Sequence, residues 1–154
     1  MNIERLSGRL RREEGEVLHP YWDELGECWT GGVGHNLSAH CTLEQLAAIL
    51  HDGAITPEQS QTWLEADIDE AYRDCVRLFP AFDSFSESRQ EALVDLRFNL
   101  GPGNMRRGFR SFRRMIAAIN DGEWWQAANE CLDSDAAREL ASRYATLADM
   151  LMDG

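Results

Sequence analysis

The chain has 154 residues, 44% of them hydrophobic, which is enough to bury one core as a single domain, and no run of about 18 apolar residues offers a membrane span. Its net charge is −12, from 27 acidic residues against 15 basic ones that are all arginine, which argues against a nucleic-acid partner and gives no help in reaching an anionic polymer. The opening MNIERLSGRLRREEGE is too charged for a secretory leader, so no signal peptide and synthesis in the cytoplasm are expected.

The spacing predicts a first helix over about Ile3 to Glu14, with Leu6 and Leu10 on one face and Gly15 in the position of a C-cap glycine. From Val17 to Val33 the pattern turns to short extended segments around the turn Asp23-Glu-Leu-Gly26, which reads as strand and hairpin. Thr42-Leu-Glu-Gln45 has the spacing of a capping box and opens a helix that Gly53 closes. A second box, Thr56-Pro-Glu-Gln59, opens a longer helix to about Phe79, where Pro80 stops it. Further helices are expected over about Glu87 to Leu100, Phe109 to Asn120, Trp124 to Leu132 and Asp135 to Met152. A small β-containing lobe (about 15–56), a connecting helix (57–79) and a helical lobe (80–154, joined by the helix 3–14) make an α+β arrangement within one domain, with a substrate groove expected at the seam.

Cys28, Cys41, Cys75 and Cys131 are scattered without a CxxC pair and are expected as free thiols. His19, His35, His40 and Cys41 fit no common zinc-ligand spacing, so neither metal nor cofactor is expected. Of the five tryptophans, most are expected in the core, with only Trp22 or Trp29 near a groove.

Two carboxyl groups stand out by position. Cleaving a glycosidic bond needs one carboxylic acid that holds its proton and a second group that handles water or the developing charge on the sugar. Glu14, at the last turn of a helix, faces the negative end of the helix dipole, which favours its protonated form. Asp23 lies in a polar turn ahead of a glycine-rich strand, where an ionised carboxylate is at home.

The stretch REEGEVLHPYWDELGECWTGGVGH resembles the catalytic segment of the T4-type phage lysozymes. Their pattern is a Glu-Gly at a helix end, an Asp nine positions after the Glu, a Thr in the hairpin, and GxGH. Glu14-Gly15, Asp23, Gly26, Thr30 and the run Gly31 to His35 fit it, and similarity continues through Asp67-Ile68-Asp69, Ala92-Leu93, Phe98-Asn99-Leu100-Gly101 and Gly108-Phe109. The resemblance implies a lysozyme-like α+β fold and hydrolysis of the β-1,4 bond between N-acetylmuramic acid and N-acetylglucosamine in bacterial peptidoglycan. Glu14 would be the acid, Asp23 the base or electrostatic partner, and Thr30 the hydroxyl that holds the attacking water, with inversion at the anomeric carbon. It further implies sugar contacts at Asn36, Phe98 and Asn99, a supporting His35–Asp67 pair, and a supporting Arg143 for which Arg138 competes.

On the same resemblance the protein is an endolysin or virion-borne lysozyme. It would be a monomer that is made in the host cytoplasm and acts on the cell wall after release. The alternative is a lysozyme-like module that binds peptidoglycan without turnover. A lytic transglycosylase, which needs one acid and no water, is a third possibility. There is one more residue between Gly26 and Thr30 than the family pattern has, and a one-residue slip would turn Thr30 to the other face of its strand unless a bulge absorbs it.

Overall fold

The computed structural model describes residues 1–154. It is mixed α+β, mostly helical with one small antiparallel sheet, as the sequence pattern leads one to expect. Two compact units divide it: Ser7–Asp67, and Met1–Leu6 together with Ile68–Gly154.

The first unit holds the sheet. Helix α1 (Ile3–Glu14) is capped at its start by Asn2, whose Oδ1 accepts from the Arg5 amide at 2.9 Å. It ends at Gly15, whose φ of 77° lies in the left-handed region. Strands β1 (Val17–Asp23), β2 (Cys28–Gly32) and β3 (His35–Asn36) follow in spatial order β1-β2-β3, all antiparallel. A four-residue helix α2 (Leu37–His40), which hydrophobic periodicity is too coarse to reveal, is capped by Asn36, whose Oδ1 accepts from the Ala39 amide.

Both capping boxes form. Thr42 and Gln45 close the start of α3 (Leu43–Asp52), and Thr56 and Gln59 exchange side-chain to backbone bonds of 2.8 and 3.1 Å at the start of α4 (Pro57–Leu78). The Ile55 amide donates to the Leu18 carbonyl at 3.0 Å, which ties the entry of α4 to β1.

The second unit is helical: the rest of α4, then α5 (Glu87–Leu100), α6 (Arg113–Asn120), α7 (Trp124–Leu132), α8 (Asp135–Glu139) and α9 (Ala141–Asp153). Helix α5 is buried on every side from Gln90 to Arg97, although that stretch contains three charged residues. Each has a partner of opposite sign. Glu91 accepts from Arg5 at 2.6 Å, Asp95 from Arg143 at 2.9 Å, and Arg97 donates to Asp74 at 2.7 Å and Glu70 at 2.6 Å. Buried charges persist only when paired in this way.

Two boundaries differ from the sequence expectation. The segment 109–120 opens as a 3-10 turn, Phe109–Ser111, and becomes α-helical only after Phe112 leaves helical dihedrals. The helix expected over Asp135 to Met152 is two helices, because Leu140 (φ −121°, ψ 49°) breaks it. Periodicity runs through such a break, since both pieces keep the same 3.6-residue repeat.

Candidate active site

Glu14 closes α1 and is exposed at its last turn, and Gly15 turns the chain directly into β1. Along β1 and β2 the register pairs Tyr21 with Thr30, Trp22 with Trp29, and Asp23 with Cys28. Directly opposed residues share a face and neighbours alternate, so Tyr21, Asp23, Cys28 and Thr30 lie on one face of the hairpin. Trp22 and Trp29 lie on the other and meet edge to face, with centroids 5.7 Å apart. The extra residue before Thr30 therefore leaves Thr30 on the face of Asp23. The strands are joined by the turn Glu24–Glu27, where Glu27 has the chain's one positive φ outside glycine, 50°.

Asp23 is half-buried, and its Oδ1 accepts from the Leu25 amide at 3.0 Å, an Asx turn that fixes the carboxylate over the loop. A Cβ on Gly26 would stand 2.7 Å from Asp23 Oδ2 and 3.2 Å from Cys28 Sγ, so the carboxylate occupies space that only glycine leaves. Thr30 is buried, and its hydroxyl lies 3.5 Å from Cys28 Sγ. The Tyr21 phenol is pushed above its ordinary value, first by burial and then by the charges of Asp23, Cys28 and Glu14, so one side chain senses both carboxylates.

The His35–Asp67 pair forms. His35 Nδ1 lies 2.8 Å from Asp67 Oδ2, and the buried imidazole is stacked on Trp63 (5.0 Å, 9° between planes) and against His40 (4.9 Å). Trp63, which by spacing belongs to the apolar face of α4, thus serves as a platform for a histidine. Ser38 accepts from the Trp29 amide at 2.9 Å and satisfies one donor of β2.

The remaining candidates lie in the helical unit. Phe98 and Asn99 are half-buried near the end of α5, and Tyr144 donates to Asn99 Oδ1 at 3.1 Å. Arg143 is 5% exposed and grips Asp95 through Nε and Nη2, whereas Arg138 is exposed and pairs with Asp135. None of the five tryptophans is buried, contrary to expectation: Trp22 and Trp125 are exposed, Trp29 and Trp63 are half-covered, and Trp124 stacks under Arg89 at 4.1 Å.

Sequence reasoning missed Tyr21 and Cys28. The alternation that puts residues two apart on one strand face could have found them once the strands were known. Among the depressions of the surface are one of about 940 Å³ in the helical unit and one of about 670 Å³ between α3 and α4. Neither is lined by Glu14, Asp23 or Thr30.

A small antiparallel sheet and a helical unit, with a helix-end glutamate leading into a hairpin that carries aspartate and threonine on one face, make a lysozyme-like protein. Residues 11–143 match the phage lysozyme family, and the chain belongs to it. It is similar to the pre-baseplate central spike protein Gp5 of Enterobacteria phage T4, 28% identical over an alignment that covers 94% of this chain and 27% of that protein. The chain thus spans about a quarter of that relative's length. No helix is long and apolar enough to cross a membrane.

Proposed function

We propose that the chain is a lysozyme that hydrolyses the β-1,4 bond between N-acetylmuramic acid and N-acetylglucosamine in peptidoglycan, with inversion. Family membership supports the general class. The observation that carries the assignment of residues is the shared hairpin face of Asp23 and Thr30, in the same unit as Glu14 and with Tyr21 sensing both carboxylates.

Glu14 donates its proton to the glycosidic oxygen as the bond to the anomeric carbon breaks. Asp23 takes a proton from a water whose oxygen attacks that carbon from the opposite face. Thr30 holds this water through its hydroxyl. Asn36, Phe98 and Asn99 are the proposed sugar contacts. His35–Asp67 supports the unit that carries the reacting groups, and Arg143–Asp95 supports the helical unit. The endolysin or virion-borne role, and action on the wall after release, follow from this reading.

The test is Glu14→Gln, which preserves shape and removes the transferable proton. Clearing of cell walls should fall by at least about two orders of magnitude with thermal stability little changed. Defined glycan fragments should yield the α-anomer first. Normal clearing by the variant sinks the role of Glu14. Anhydro products would reveal a transglycosylase, and no clearing by the unmodified protein at any salt concentration would favour the binding module.

A further inference from the structure

Spacing along the chain gives the four histidines no metal pattern, yet folding sets one of them against a carboxylate from a distant element. His40 is the last residue of α2, exposed at the end of a short helix that Leu37 anchors in the core. One of its ring nitrogens and one carboxylate oxygen of Asp67 lie within 4.8 Å of each other. Glu70 follows Asp67 by almost one turn of the unbroken helix α4, and its carboxylate belongs to the same cluster, again within 4.8 Å. Trp63, Asp67 and Glu70 stand at i, i+4 and i+7, which makes one stripe of that helix.

The carboxylates are already oriented. Asp67 Oδ2 is held by His35 Nδ1 at 2.8 Å, and Glu70 Oε1 accepts from Arg97 at 2.6 Å, so each keeps a second oxygen to offer. His35 is itself fixed: it is 4% exposed, stacked on Trp63 and packed against the His40 ring at 4.9 Å. A ligand group held by such a partner has fewer rotamers to lose when an ion binds, which is how outer contacts support metal sites. The net charge of −12 also raises the local concentration of divalent cations.

We propose that His40, Asp67 and Glu70 bind one zinc ion. An imidazole nitrogen with two carboxylate oxygens is a donor set for a borderline ion such as zinc, whereas magnesium and calcium take about six or more ligands that are all oxygen. Zinc holds such atoms at about 2.0–2.2 Å, which sets two ligands of one ion about 3–4 Å apart. The His40 ring closes the remaining distance of about 1 Å by turning about its side-chain bonds, which its exposure permits, and water takes the fourth position. The ion then ties the end of α2 to α4. This site is separate from the hydrolysis reading, in which His40 and Glu70 take no part.

The experiment titrates the full chain with zinc chloride by calorimetry in a buffer that does not bind zinc. Magnesium chloride is run beside it, and NMR of the histidine rings gives a second readout. One ion should bind per chain with a micromolar Kd, and the His40 ring resonances should shift. Zinc at about tenfold over Kd should raise Tm by about 3 °C, and excess chelator should reverse the rise. His40→Gln alters an exposed side chain and leaves folding intact; it and Glu70→Gln should each weaken zinc at least about tenfold. Cys28→Ser with Cys41→Ser should bind as the unmodified chain does, because neither thiol belongs to the cluster. Absence of binding below millimolar zinc overturns the proposal. So does binding that survives His40→Gln, that is lost with the two thiols, or that magnesium matches.

Discussion

Cys75 and Cys131 lie inside the helical unit, where burial opposes thiolate formation and raises the Cys131 thiol to about 12 and the Cys75 thiol higher still. Cys28 and Cys41 are partly exposed. A thiol reagent should therefore modify Cys28 and Cys41 in the native protein and the other two only on unfolding, and mass spectrometry of the labelled chain checks it. Equal native rates at all four would contradict the burial. The same shift sets a pH dependence. Above the ordinary value of 9.0 the unfolded chain releases thiol protons that the folded chain keeps. Stability should fall as pH rises from about 9 toward 12, and Cys75→Ala with Cys131→Ala should flatten that slope in urea titrations. Glu14, Asp23 and Thr30 were picked out in the sequence by the family pattern they match, and the hairpin register sets Asp23 and Thr30 on one face. The inward charges of Glu91, Asp95, Arg97 and Arg143 were not, since a charged residue reads as solvent-facing until its partner is known.

Helix ends and capping boxes were legible because local rules govern them: Gly15, Thr42 and Thr56 act within four residues of where they stand, whereas the cap at Asn2 emerged only in the structure. The hairpin was legible as strands but not in register. A one-residue change in loop length decides which face each side chain takes, and pairing across the turn resolves it. Gly26 carries that arrangement. Gly26→Ala would push a methyl against Asp23 Oδ2 at 2.7 Å, so the carboxylate must move. On the proposed function Asp23 is a reacting group, whose misplacement by about 1 Å can cost a hundredfold, so clearing activity should fall by roughly ten- to a hundredfold. Stability should change by less than about 1 kcal/mol, since the turn is exposed. Full activity in this variant would mean that the position of Asp23 is not critical. The break at Leu140 follows no local signal. Ser134 caps α8 while Tyr144, Leu147, Ala148 and Leu151 of α9 turn inward, so tertiary burial sets the bend.

Across the whole molecule the charge of −12 works against encounter with an anionic wall. On the proposed function, clearing of intact walls should rise as salt is raised from about 10 mM to 150 mM, while cleavage of a small uncharged glycan fragment stays level, because screening shortens from about 30 Å to 8 Å over that range. A fall on both substrates would contradict it. Composition, most helix limits and the α+β class follow from the sequence alone, because propensity and capping act over a few positions along the chain. The tertiary structure decided that Thr30 faces the same way as Asp23, that α5 buries charges in pairs, and that Trp63 supports His35. Those are relations between residues distant in sequence, and they come into being only when strand pairing and core packing bring separate segments together.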